Sequence, residues 1–419
     1  HSISKYGEFD SLSLMQDLKS PKLIFGNPAP EDILAVIDDL DTPAFVYDSE
    51  RIQDLMKYAV DVRAKAQCGV LFAVKSFSIA DGLEKMAPRL DGFAVSSLFE
   101  ARLVAETTRS PLHLTTPGLR HNDLHDVASV CDYISFNSLS QWQRYSKFLN
   151  SRNVSCGLRV NPQLPFVSDP RYDPCRVHSK LGVPLDELAA IVCADPNVMP
   201  ALRGLLFHSN CDSVDFSELL ATVEHLESRL GSLLQRIEWI NLGGGYLFEE
   251  SPDIAPLVEA IDHLRSKYGL HVFIEPGAAL VRAAGYIVST VLDMFNSSNA
   301  RIAVLDTTVN HMPEVFEYEF EPDVVGHDDR APNEYTLAGC TCLAGDIFGK
   351  YRFQEPLQIG SKVIFSNAGA YTLTKAHMFN GVNLPTVYEL QMDRTLRLSR
   401  RFTFEDFASR WEYRASVPV

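Results

Sequence analysis

Eight short apolar runs, spaced between residues 70 and 276, constrain this chain more than any other feature. They close on Phe72-Ala73-Val74-Lys75, Phe93–Ser97, His113–Pro117, Ile134–Asn137, Leu158–Asn161, Leu205–His208, Ile240–Gly245 and Val272–Pro276. Each is rich in β-branched and aromatic residues and ends in small or polar ones. Runs of this kind are strands buried on both faces, as in parallel sheets. Helical periodicity fills the intervals at Ser97–Thr107, Ser138–Asn150, Leu185–Ala194 (with Pro184 at its start), Asp215–Leu234 and Ala255–Tyr268. A further helix runs from Ser49, a good N-cap residue, to about Lys65. Alternating strand and helix implies parallel pairing with right-handed crossovers, and eight such units close into a (β/α)8 TIM-type barrel. An open doubly wound sheet shares the alternation but rarely needs eight regular units.

Beyond about Ser289 the texture changes. Tyr286–Phe295, Ala300–Leu305, Glu334–Ala338 and Ser361–Phe365 read as strands without intervening helices, separated by Gly and Pro. At 419 residues the chain exceeds one ordinary core. The expected organisation is therefore a barrel over residues 49–289 and a mostly antiparallel all-β domain over 1–48 and 290–419, with the strand near Pro43–Tyr47 joining the second domain.

A net charge of -16 without a basic cluster argues against nucleic acid or an anionic membrane surface as partner, and suits a cationic small molecule. No run is long enough to span a bilayer. The eight cysteines are scattered, several beside apolar runs, as reduced thiols of a cytoplasmic protein would be. Cys340 and Cys342 form the one close pair, and no second pair completes a zinc site, so no metal is expected.

In such a barrel the chemistry sits where strands end, and the loops after strands seven and eight commonly hold phosphate. Here those loops carry Gly243-Gly244-Gly245 and Glu275-Pro276-Gly277. Glycines let backbone N–H groups approach a phosphate, although a tight turn alone also uses them. The same ring of strand ends presents Lys75, His208 and Glu275. Lys75 could simply snorkel to water, His208 could be a core imidazole and Glu275 a strand-end charge. Together, a phosphate site facing an amine and a carboxylate suits pyridoxal phosphate, PLP, whose aldehyde needs an amine and whose pyridine nitrogen needs an acidic partner.

The chain resembles the fold-type III, alanine racemase-like PLP decarboxylases, which include those of ornithine, arginine and diaminopimelate. The likeness rests on Thr42-Pro43, Ala73-Val74-Lys75, Arg159-Val160-Asn161-Pro162, Ser179–Gly182, His208, Gly243–Gly245, Glu275-Pro276-Gly277, Cys342 and Gly369-Ala370-Tyr371, in that order. It covers about Thr42 to Tyr388. Within the family, His311–Val315, Cys342–Asp346, Met378–Gly381 and Leu384-Pro385 are most similar to the carboxynorspermidine (carboxyspermidine) decarboxylases. One departure stands out: ornithine and diaminopimelate decarboxylases usually follow Glu-Pro-Gly with Arg, whereas Ala278 and Ala279 follow here. The missing cation counts against a substrate with a second carboxylate.

The resemblance implies a role for each matching residue. Lys75 forms the Schiff base, His208 stacks on the pyridine ring, and Glu275 pairs with its nitrogen. Gly244, Gly245, Gly277 and the Tyr371 hydroxyl hold the phosphate, and Glu100 lies near Lys75. Cys342, supplied by the partner subunit of a homodimer, protonates the α-carbon after CO2 leaves. Asp346 meets the distal amine, with Glu314, Glu317, His311 and Tyr371 as further substrate contacts; the acidic run Glu314–Asp323 could equally be a solvated loop. The implied reaction is decarboxylation of carboxynorspermidine or carboxyspermidine in polyamine biosynthesis. A decarboxylase of another basic amino acid and a non-catalytic PLP-binding protein remain the alternatives.

Overall fold

The structure, a computed structural model, describes residues 31–251 and 253–411. The outer parts of the expected β domain, 1–30 and 412–419, lie outside the described residues.

The eight apolar runs form a closed parallel barrel. Its strands are Gly69–Ala73, Gly92–Val95, Leu112–Thr116, Tyr133–Phe136, Ser155–Asn161, Gly204–Leu206, Trp239–Asn241 and His271–Ile274. They pair in chain order, and the last returns to the first, with Phe273 opposite Gly69 and Ile274 opposite Val70. Helices cover the outside because each buries one apolar stripe. In Ser49–Ala66 that stripe is Ile52, Leu55, Met56, Ala59 and Val62.

The cap of this helix differs from the expectation. Asp48 precedes it and accepts the Arg51 N–H at 3.1 Å, while Ser49 lies inside the first turn and donates to Glu389. A carboxylate caps as well as a hydroxyl and also favours the positive end of the helix dipole. Ser97 and Ser138 do cap theirs, accepting from Glu100 and Gln141 backbone N–H groups at 3.2 and 3.1 Å.

The lower part of the barrel is filled. Trp239, Phe273 and Leu71 pack inside it, and the indole fits because Gly157 and Gly204 face it. A Cβ on Gly204 would lie 2.1 Å from the Trp239 ring. Trp239 donates to Ser155 Oγ at 2.9 Å, and the His113 and Tyr133 rings stack with centroids 4.0 Å apart. This plug confines open space to the end where the strands stop.

The second sheet is mostly antiparallel: among the described residues, five of its seven strand pairings are. Ala44–Asp48 lies within it, antiparallel to Gly285–Ser297 and parallel to Thr386–Leu390. The expected domain boundary at 289/290 falls inside Gly285–Ser297, so we propose Gly285 as the boundary. Strands Ile347–Phe353, Thr386–Leu390 and Leu396–Arg400 escaped the sequence reading. The absence of helices here is corrected by Pro313–Tyr318 and Phe404–Ala408, each too short to show a period. Pro at the first turn starts one, and a Thr403–Asp406 capping box starts the other.

All eight cysteines are unpaired. Among the described residues, no helix is long and apolar enough to cross a membrane.

Glu389 joins the two domains. It has 0 % exposure and binds Lys85 of the barrel, together with Ser49 and Arg397. Burial pushes its carboxyl up, but hydrogen bonds from Lys85, Ser49 and Arg397 outweigh this and hold it below the ordinary value. Glu389→Ala is expected to cost about 2–3 kcal/mol, the low end for a broken buried pair because the two cations are partly exposed. A depressed carboxyl stabilises the fold above its unfolded pKa, and this stability is lost as pH falls through the folded value. Thermal melts should therefore separate wild type from variant at pH 7, and the gap should close in acid.

Candidate active site

The strand Gly69–Ala73 stops two residues before Lys75, not at it as the sequence suggested. A tight turn, Val74–Ser76, follows and brings the lysine over the barrel mouth. Ser76 Oγ donates to Ala73 O at 2.8 Å and the Phe77 N–H to Val74 O at 3.0 Å, which fixes this turn. The Lys75 side chain opens into a cavity of about 650 Å³ that is also lined by Glu100, His208, Gly245, Glu275, Gly277, Glu314 and Tyr371. Eight of the residues singled out in the sequence thus meet in one space.

Their electrostatics follow from burial. The surrounding protein desolvates the Lys75 ammonium, and Arg159 repels it; Glu275 opposes both but does not cancel them, so the amine lies below its ordinary pKa. Glu275 is raised by the same desolvation, against the pull of Lys75, Asn241 and Arg159. Asn241 holds it in place: Nδ2 donates to Glu275 Oε1 at 2.7 Å, while Oδ1 accepts the Gly243 N–H at 2.9 Å. Burial, Lys75 and Arg159 hold His208 well below the usual histidine range. Its Nδ1 accepts the Gly244 N–H at 3.0 Å, so the neutral ring carries its proton on Nε2. Glu100 Oε2 accepts the Ser96 N–H at 2.6 Å, and burial raises its carboxyl.

The glycine loop is forced by close packing. Gly243 and Gly245 have φ of 70° and 92°, and a Cβ on Gly244 would sit 2.1 Å from the Glu275 carbonyl oxygen. The Gly244 N–H is spent on His208; Gly245 and Gly277 line the cavity. Tyr371, at φ 55°, reaches the site from the sheet domain and donates its backbone N–H to Ser76 O at 2.9 Å. Burial raises its phenol, which stays a donor at neutral pH.

A second cavity of about 490 Å³ adjoins the first, with Tyr172, Asp212, Glu314, Tyr318 and Tyr371 in the walls of both. The Tyr172 and Tyr318 ring centroids are 3.6 Å apart. Lys375 stands beside Glu314 at 3.4 Å and also binds Glu317.

Besides Gly244, four expected residues lie outside this space. Cys342 is exposed, its N–H donating to Asn380 Oδ1 at 2.7 Å. Asp346 is buried in its own loop with both oxygens engaged: Oδ1 accepts from Val309 N–H, and Oδ2 from Thr341 N–H and Oγ1. His311 is buried against Thr307 Oγ1 at 3.0 Å, and burial pushes it down to about 4. Glu317 is taken by Lys375. The sequence reading missed Asn241 and Asp212. Asn241 was signalled by a polar residue inside the run Ile240–Leu242, and Asp212 by its place four residues after His208.

Residues 44–369 match the family described as pyridoxal-dependent decarboxylase, C-terminal sheet domain. The chain is 34% identical to a carboxyaminopropylagmatine decarboxylase of Synechocystis over 87% of this chain and 93% of that one. It is 35% identical to a carboxynorspermidine/carboxyspermidine decarboxylase of Herminiimonas arsenicoxydans over 83% and 93%. A crystal structure of carboxynorspermidine decarboxylase complexed with norspermidine, from Campylobacter jejuni, superposes with a TM-score of 0.80 at 28% identity, covering 88% of this chain and all of that one.

The residues at the barrel mouth suit PLP: a desolvated amine, a carboxylate fixed by Asn241, a neutral imidazole, and Gly245 and Gly277 in the cavity wall. By this donor set and these matches, the chain belongs to the pyridoxal-dependent decarboxylases, and it is an enzyme that uses pyridoxal 5'-phosphate.

Proposed function

We propose that the enzyme decarboxylates carboxynorspermidine or carboxyspermidine to the corresponding polyamine. The observation that carries this reading is the paired cavity, with Lys75 at one end and carboxylates and tyrosines toward the other. Long polycations are held by carboxylates through charge-assisted hydrogen bonds and by aromatic faces. The names of the Herminiimonas and Campylobacter relatives support it. A guanidino-ended substrate, as the Synechocystis relative's name indicates, is the second reading.

PLP, when bound, supplies an aldehyde for the substrate amine and a conjugated ring that draws electrons from the bond to the departing carboxylate. Lys75 holds it covalently, since desolvation brings the amine toward its neutral, nucleophilic form. Glu275, oriented by Asn241, would pair with the ring nitrogen and favour its protonated form. His208, held neutral, would offer the ring an uncharged face without adding a second positive charge. Gly245, Gly277 and Tyr371, in the cavity wall, would hold the phosphate, while Gly244 positions the His208 imidazole. Glu100 adds negative charge near Lys75. Glu314 takes a substrate ammonium, competing with Lys375 for its carboxylate. Asp346 shapes the loop that carries Cys342 by accepting the Thr341 N–H and hydroxyl.

Cys342 Sγ delivers the proton to the α-carbon. Because Cys342 lies outside its own chain's cavity, it acts in the cavity of a second copy, in a cytoplasmic homodimer with two shared sites.

Turnover measured with carboxynorspermidine, carboxyspermidine, carboxyaminopropylagmatine, diaminopimelate, ornithine and arginine should favour the first two by at least about a hundredfold in kcat/KM. Preference for any other would overturn the substrate assignment. Lys75→Ala should abolish activity, and Cys342→Ala should lower kcat on the order of a hundredfold. Co-expressed, the two should form hybrids with one intact site and regain about a quarter of wild-type activity, as random pairing in a two-fold dimer dictates. No recovery would contradict shared sites. Asn241→Leu, which frees Glu275, should lower kcat about tenfold or more with a small change in KM.

A further inference from the structure

Asp212 has no task in the assignment above, yet its position is distinctive. It follows His208 by four residues, on the segment leaving the strand Gly204–Leu206. It lines both the cavity that holds Lys75 and the adjoining one. Glu314 shares that property, but the two carboxylates keep different company. Glu314 lies 3.4 Å from the Lys375 ammonium, which neutralises it in part. The cation acting on Asp212 is Arg282, in the wall of the second cavity. Asp212 is exposed in the wall of both cavities, so its carboxylate is open to an ammonium of the ligand.

A ligand extending from Lys75 into the second cavity crosses the junction with its middle, not with its end. A carboxylated polyamine carries a protonated secondary amine there, a few bonds from the carbon that loses CO2. Diaminopimelate and ornithine have only methylenes at that place. We infer that Asp212 reads the inner secondary ammonium of the substrate, leaving Glu314 and its surroundings to the terminal amine. The inference rests on the polyamine reading and adds the residue that enforces it. Discrimination works in both directions. The ammonium gains a charge-assisted hydrogen bond, whereas a methylene at that place displaces water from the carboxylate and returns no hydrogen bond.

Norspermidine and 1,7-diaminoheptane separate these contributions, because they differ only in replacing the inner NH by CH2. Calorimetric titration of the PLP-loaded wild type should show norspermidine binding at least about tenfold more tightly. In Asp212→Asn, norspermidine should weaken about tenfold and diaminoheptane little, so that the preference collapses. Glu314→Gln should weaken both alike, since both keep the terminal amine. The inference is overturned if wild type does not distinguish the two ligands, a result independent of whether any variant folds. It is also overturned if Asp212→Asn weakens both equally or neither. Failure of the polyamine reading looks different: wild type would then not turn over carboxynorspermidine, whatever the two diamines show.

Discussion

An amine open to the cavity and a half-buried carboxylate share the mouth of this barrel, each pushed toward its neutral form by the surrounding protein and drawn back by the other. Lys75 is lowered and Glu275 raised, and the residual attraction between them does not make up the lost hydration. Much of the local structure serves to keep this arrangement in place. The plug around Trp239 closes the lower barrel, the Val74–Ser76 turn lifts the lysine, and Asn241 ties Glu275 to the glycine loop. The loop in turn fixes His208 through Gly244. A cofactor that offers an aldehyde to the amine and a basic ring nitrogen to the carboxylate satisfies both groups at once. In the proposed role of Lys75, desolvation that would be a liability in an inert protein becomes a source of reactivity.

The sheet domain completes the site and does not merely accompany it. Its Tyr371 N–H is bonded to Ser76, next to the lysine, and its Gly369 packs so closely that a Cβ would lie 1.8 Å from Val281 O. Ala44–Asp48 belongs to the sheet yet leads directly into the first barrel helix, so the chain enters and leaves the barrel through one sheet. Glu389 adds an ionic tie between the domains. The walls of the second cavity come from both domains, so the proposed tail recognition would depend on the same docking as cofactor binding.

The barrel was legible because its signal is repeated. Eight apolar runs at regular spacing leave little freedom, and their ends marked Lys75, His208, Glu275 and the glycines. Features set by a single contact were not legible. Asp48 instead of Ser49 caps the first helix, since either residue could, and the helix Pro313–Tyr318 is too short to show a period. Motif resemblance placed Gly244 at the phosphate, but its N–H is bonded to His208, a choice made by packing that sequence order does not reveal. Cys342 and Asp346 matched a motif, yet on one chain the first faces outward and the second is enclosed by its own loop. A site that draws on two copies, as proposed here, is hard to read from one sequence for this reason.

The account turns on Lys75 as the residue that carries the cofactor. Borohydride reduction of the PLP-loaded enzyme, followed by proteolysis and mass spectrometry, locates that bond directly. The pyridoxyl group should be found on the peptide containing Lys75, in stoichiometric amount. Its absence there, or its presence on Lys375 or another lysine, would contradict the assignment of the barrel mouth as the reacting centre.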